Sequence, residues 1–290
     1  MNTFYPWHSD LLQRLTRQRD ENKLPNTLAL TTPPGWGHRQ LLRDIAGMLL
    51  QTPLPDNETE FAHPDFRWVE PDGAEIKIAE IRRVTEFAVQ TSQIAPRKVV
   101  AIFDAHLLNR AAANALLKTL EEPPPNTHLV LATPFWSRLM PTVRSRAQRY
   151  SQRPDHPAAR SWLEQQGVSV SDVDYATAGY APLNALETAG GASLEKWLES
   201  LPRIDLAAAL EQAQSAGVMT WLDQWYRRLL AHLSDAPLAG IQAEAAAVLS
   251  FTDALLSARR QIDTSNSANQ RLLLEALIVR WVALSRRSST

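Results

Sequence analysis

Hydrophobic and polar positions change rhythm halfway along this chain. In the first half, short apolar runs alternate with segments whose apolar residues recur every three or four positions. Thr27 to Leu30 is one such run. It ends at Thr31-Thr32-Pro33-Pro34-Gly35-Trp36-Gly37, after which Leu41, Leu42, Ile45, Leu49 and Leu50 trace a helix closed by Pro53 and Pro55. Phe66 to Val69 predicts a second strand, and Ile78, Ile81, Val84 and Phe87 to Val89 an amphipathic helix. Lys98 to Phe103 reads as a strand buried on both faces, with Asp104 at its end. A helix follows from Arg110 to Glu121 and stops at Pro123-Pro124-Pro125. Its Ala113, Leu116, Leu117 and Leu120 are expected to face the sheet, with Lys118, Glu121 and Glu122 turned outward. His128 to Ala132, a short element from Arg138 to Arg146 and a brief strand from Gln148 to Ser151 complete an α/β pattern over a mostly parallel sheet.

After about Arg153 the period is helical throughout. Short helices are expected at Ala158 to Gln165 and Pro182 to Ala189. Longer ones carry Val218, Trp221, Leu222, Trp225, Tyr226, Leu229 and Leu230, and then Leu273, Leu277, Trp281 and Leu284. Trp221 and Trp225 are expected inside the core. Three domains follow: 1–153 α/β, 154–193 small and helical, 194–290 all-helical.

At 290 residues the chain is long for one core. Its 30 Lys and Arg balance 31 Asp and Glu, so DNA contact would have to come from local placement or from partners. It has no Cys, which removes disulfides and thiolate metal sites. No long uncharged apolar stretch occurs, and Met1 to Asp10 does not read as a leader, so the expected location is cytoplasmic, with no membrane partner.

Candidate chemistry begins at the turn after the first strand. A working phosphate loop needs a Gly-rich turn, a Lys for the β and γ phosphates and a hydroxyl for Mg²⁺. Here Pro34, Gly35 and Gly37 supply the turn, but His38 stands at the Lys position and Arg39 at the hydroxyl position. An exposed His is mostly uncharged at neutral pH, and Arg repels a metal. Asp104 could hold Mg²⁺, but Ala105 follows where a Glu would polarise the attacking water. The alternative reading is an ordinary turn in an α/β enzyme.

The segment Asn109-Arg110-Ala111-Ala112-Ala113-Asn114-Ala115-Leu116-Leu117-Lys118-Thr119-Leu120-Glu121-Glu122-Pro123-Pro124 resembles the stretch after the second nucleotide-binding strand in bacterial clamp-loader subunits of the gamma/tau and delta-prime type. Thr142-Val143-Arg144-Ser145-Arg146-Ala147 is similar to the family's Ser-Arg-Cys motif, with Ala147 replacing Cys. The resemblance implies an AAA+ P-loop-like domain with a degenerate nucleotide site, then a helical lid and a helical collar. It implies the non-hydrolysing, delta-prime type of subunit, with Arg146, next to Ser145, acting as an arginine finger in the ATP site of an adjacent gamma or tau subunit. Arg suits that task because its rigid fork pairs with phosphate oxygens.

Thr133 matches the sensor 1 position, and Arg110 is implied to lie near the DNA backbone. Arg138, Arg144 and Arg149 read as solvated surface charges. The Gln51 to Pro64 interval has no Cys for the family's zinc module, and His63 alone cannot build one. Ala178-Gly179-Tyr180-Ala181-Pro182-Leu183 resembles the lid turn but lacks its sensor 2 Arg. Asn269 to Leu277 is similar to the end of delta-prime chains, and Tyr5-Pro6-Trp7 resembles their opening, from which the chain is expected not to be a truncated fragment.

The implied partners are gamma/tau and delta subunits in a hetero-pentamer with three gamma or tau copies, and the sliding clamp and primed DNA through that assembly. No cofactor is expected: no zinc, and neither ATP binding nor hydrolysis by this chain. Two rivals remain: a gamma/tau-like ATPase, and a clamp-loader-like scaffold in repair or phage replication.

Overall fold

A computed structural model of the chain describes residues 5–55, 57–59, 61–190, 194–215, 217–234, 238, 243–264 and 269–286. The chain divides into two compact units, Met1–Trp162 and Leu163–Thr290. The boundary falls inside one helix, His156–Gln165.

The first unit runs α1 (Ser9–Asp20), β1 (Thr27–Thr31), α2 (His38–Leu50), β2 (Phe66–Val69), α3 (Ile78–Ala88), β3 (Lys98–Ile102), α4 (Arg110–Glu121), β4 (Thr127–Thr133), α5 (Pro141–Arg144), β5 (Gln148–Ser151) and α6 (His156–Gln165). The five strands form one parallel sheet in the order β2-β3-β4-β1-β5. Each strand side alternates between two apolar layers. Leu28, Leu30, Val99, Ala101, Val130 and Ala132 pack toward α1 and α2, while Ala29, Val100, Ile102, Leu129 and Leu131 pack toward α3 and α4. Burial on both faces explains why the strands read as unbroken apolar runs.

Most expected elements form within a residue or two. Lys98 to Phe103 ends one residue early because Asp104 enters the left-handed region at φ 49°. The Arg138 to Arg146 element is instead a 3₁₀ turn at Trp136–Arg138 and the single turn α5, set off by Pro141 at its first position. On α4, Ala112 is buried and Leu117 only partly so, because the face is centred on Ala112, Ala113, Leu116 and Leu120.

The second unit holds α7 (Asp172–Thr177), α8 (Pro182–Gly190), α9 (Leu194–Ser200), α10 (Leu206–Ser215), α11 (Val218–Ser234), α12 (Ala245–Thr264) and α13 (Gln270–Arg286). Its core is aromatic: Trp225 is fully buried, with Trp197, Trp281 and Phe251 around it at ring-centre distances of 5.4, 5.2 and 5.1 Å. Trp221 is also buried, as its spacing predicts, but Leu230 on the same helix faces outward. The helix α7 has no counterpart in the sequence reading. At the turn after it, Gly179 has φ 73°, and a Cβ there would meet the Arg227 guanidinium at 2.6 Å.

Just before β2, the fully buried Asp65 carboxylate accepts backbone N–H bonds from the segment leading into β3, from Gln93 and Ile94 at 2.7 Å and from Ala95 at 2.8 Å. Burial works against its charge, but these three donors and Lys98 hold its pKa below the ordinary value. A depressed folded pKa contributes stability at neutral pH that disappears as the pH falls through it. Asp65→Asn is therefore expected to cost on the order of 3 kcal/mol at pH 7. In urea unfolding, that gap should narrow as the pH drops below about 4; an equal gap at pH 7 and pH 3 would contradict the assignment.

Candidate functional site

In a parallel sheet, chemistry gathers where the strand order reverses, outside the carboxyl ends of the strands. β1 lies between β4 and β5, and its last residue, Thr31, is in register with Thr133 of β4. The turn 32–37, Asp104 beyond β3 and Thr133 thus emerge on one edge.

The turn bends through two glycines in the left-handed region. Gly35 and Gly37 have φ of 74° and 80°, and Pro34 is exposed at its tip. Gly37 is required for a second reason: a Cβ there would lie 2.6 Å from the Tyr5 ring. Tyr5 stacks on Trp7 at 5.0 Å, and Trp7 meets the buried Trp36 edge-on at 5.5 Å. The Trp36 carbonyl accepts the Trp7 indole N–H at 3.0 Å and lies 2.9 Å from His8 Nε2. An aromatic cap therefore covers this side of the loop.

At the start of α2 the side chains close on one another. His38 is expected to be exposed, but it is largely buried. Its ring stacks on Phe103 at 4.7 Å and its Nε2 lies 3.1 Å from Asp104 Oδ1. A cation and a carboxylate that would flank a Mg²⁺-nucleotide are replaced by a direct hydrogen bond. Arg39 lies over the rings of Phe103 and Trp68, at 4.9 and 5.1 Å, and pairs with Glu58 at 3.0 Å and Glu70 at 2.9 Å. Burial opposes its charge, yet Glu58 and Glu70 raise its pKa above the ordinary value. The arrangement keeps Arg39 positive and tied down.

Behind this pair, the Thr133 hydroxyl is 3.1 Å from His106 Nδ1 and accepts the Phe135 N–H at 3.0 Å. Burial lowers the His106 pKa against the pull of Asp104, which favours a neutral ring at neutral pH. Ala105, at the position where a catalytic Glu is wanted, is fully buried.

The remaining candidates sit on other elements. Arg110 is exposed at the first turn of α4, whose N-terminus is capped by the Asn109 side chain accepting the Ala112 N–H at 2.9 Å. Ser145 follows α5, is exposed and donates to the Thr142 carbonyl at 3.1 Å. Arg146 lies beside it, with its side chain 30% exposed. Its Nε donates to Glu121 Oε1 at 2.6 Å, its terminal nitrogen NH2 meets the same oxygen, and NH1 donates to the Thr142 carbonyl at 2.8 Å. Ala147 packs against the core on the α3 and α4 side.

Sequence reasoning finds His38, Arg39, Asp104 and Thr133 but not their partners. Glu58 lies in the interval read only as polar, and Glu70, Trp68 and Phe103 read only as strand residues and their neighbours. No spacing along the chain marks these partners, because only the fold brings them together. Among the described residues, no group of three or more His, Cys, Asp or Glu side chains could hold a metal ion. Among them, too, no helix is long and apolar enough to cross a membrane.

Comparison with known proteins bears on the fold and the family. A solved gamma subunit-related protein of DNA polymerase III from Thermotoga maritima superposes with a TM-score of 0.57, covering 95% of this chain and 99% of that one at 21% identity, and so shares its fold. The sequence is 30% identical to the DNA polymerase III subunit delta' of Pseudomonas aeruginosa, covering 98% of this chain and 99% of the relative. It is 29% identical to the Escherichia coli subunit of the same name, covering 96% and 95%. The family model described as DNA polymerase III, delta subunit, matches residues 7–156, the stretch that carries both the closed phosphate loop and Arg146. With an α/β sheet of this topology, a helical second unit and full-length similarity to such subunits, the chain belongs to the bacterial DNA polymerase III delta-prime family.

Proposed function

We propose that this chain is the stator of a bacterial clamp loader: it binds no ATP productively and supplies Arg146 to the ATP site of a neighbouring gamma or tau subunit. The observation that carries this reading is the self-closed phosphate loop. His38 is bonded to Asp104 at 3.1 Å and Arg39 is held by Glu58 and Glu70, so neither the lysine position nor the metal-hydroxyl position offers a group to a nucleotide. Arg146 lies on the surface after α5, away from that pocket, with its side chain 30% exposed and paired with Glu121.

In the assembly, a guanidinium beside the γ-phosphate would stabilise the charge that spreads over its oxygens as the phosphoryl group leaves. Ser145 supports the turn that presents it. The rest of the reading follows the same family logic. Residues 154–193 act as a lid and 194–290 as a collar joining gamma/tau and delta subunits into a hetero-pentamer. Sliding clamp and primed DNA are engaged through that assembly, with Arg110 as a DNA phosphate contact.

Purified alone, the protein is expected to show no ATP hydrolysis above background and no saturable binding of a fluorescent ATP analogue at millimolar Mg²⁺. His38→Lys alone should not restore turnover, because Arg39 and Ala105 remain. Steady hydrolysis by the isolated wild-type chain would favour the gamma/tau-like rival instead.

Arg146→Ala should fold as the wild type does by circular dichroism and still join the reconstituted complex. Its DNA- and clamp-stimulated ATPase should fall by about a third if three ATP sites turn over independently, and by more if they are coupled. Arg146→Lys should not rescue it, since an ammonium lacks the fork. A wild-type rate in Arg146→Ala would end the finger assignment, and failure of the wild-type chain to form a stable complex with gamma or tau and delta subunits would favour a scaffold for another process.

A further inference from the structure

We infer that Glu121 is a latch for Arg146, holding the guanidinium in a parked form that a neighbour's nucleotide phosphates must displace. This rests on the reading of Arg146 as a finger acting in trans. Nothing in the sequence patterns links the two residues, which lie at the end of α4 and after α5.

Every nitrogen of the guanidinium is engaged by its own chain. Nε donates to Glu121 Oε1 at 2.6 Å and NH2 meets the same oxygen, which occupies the edge of the fork that a phosphate would take. NH1 is drawn back to the Thr142 carbonyl at 2.8 Å and the Ser145 hydroxyl at 3.2 Å. In this form the side chain cannot offer a bidentate contact to another subunit.

The latch is built to be released. Its side chains are 30% and 49% exposed, and ion pairs that water reaches are weak. A polyphosphate carries more negative charge than one carboxylate and can accept the same N–H donors, so it is the better partner once a neighbour brings it within reach. The pair also has a local function at rest. Glu121 is the last residue of α4, where a carboxylate faces the negative end of the helix dipole, and Arg146 offsets that repulsion. Departure of Arg146 therefore leaves Glu121 in an unfavourable position, which draws the finger back after the nucleotide is spent.

The test uses the full reconstituted complex with wild type, Glu121→Ala, Glu121→Gln, Arg146→Ala and the double variant Glu121→Ala/Arg146→Ala, measuring DNA- and clamp-stimulated ATPase against ATP concentration. Thermal melts of each purified chain report folding, and Glu121→Gln carries the test should the Ala variant prove unstable. Removing the latch should lower the apparent KM for ATP by about two- to fivefold with kcat little changed, the range an exposed ion pair allows. Glu121→Gln, which keeps an oxygen acceptor without the charge, should fall between, and the double variant should match Arg146→Ala. An apparent KM that is unchanged or raised in Glu121→Ala, while Arg146→Ala still depresses the rate, overturns the latch and leaves the finger standing. Wild-type kinetics in Arg146→Ala removes both.

Discussion

The first unit is governed by one constraint: charged side chains at the carboxyl edge of the parallel sheet need partners, and they find them in the protein itself. The strand order brings Asp104, His38 and Arg39 to the same edge. In an active nucleotide site these positions are satisfied by phosphate and metal. Here the imidazole of His38 bonds directly to Asp104, and Arg39 is shared between two carboxylates and two aromatic rings. Half-buried charges without such partners would be costly, so the substitutions at His38 and Arg39 are intelligible only together with Glu58 and Glu70.

The same helix that closes the sheet on its other face links the two regions of interest. α4 presents Arg110 at one end and Glu121 at the other, about 16 Å apart along the helix axis. Its buried face of Ala112, Ala113, Leu116 and Leu120 packs against the apolar layer that also receives Val143 of α5. The position of Arg146 is therefore fixed by core packing on one side and by the end of α4 on the other.

Much of this was legible in the sequence, and what was not has a physical reason. Strands buried on both faces leave unbroken apolar runs, so β1, β3 and β4 could be read within a residue or so. α4 could be read to the residue because Asn109 caps it and three prolines end it. The left-handed turn at Asp104 could not be read, since a single non-glycine residue in that region carries little sequence signal. Helix α7 is too short for its period to show. Glu58 and Glu70 escaped because ion pairs between distant segments have no sequence spacing, and so did the pairing of Arg146 with Glu121. The missing Lys, hydroxyl and Glu revealed what the loop had lost. Only the geometry revealed what had filled it.

The filled loop also acts as a ratchet against evolutionary reversion. A mutation restoring Lys at position 38 would meet an Asp104 already boxed in by His106 and a Gly37 covered by the Tyr5 ring. Replacing Arg39 with a hydroxyl residue would take a cation from Glu58, which is almost fully buried and would then depend on Arg43 at 3.2 Å. Closure of this pocket is thus a property of several residues at once and not of any one of them.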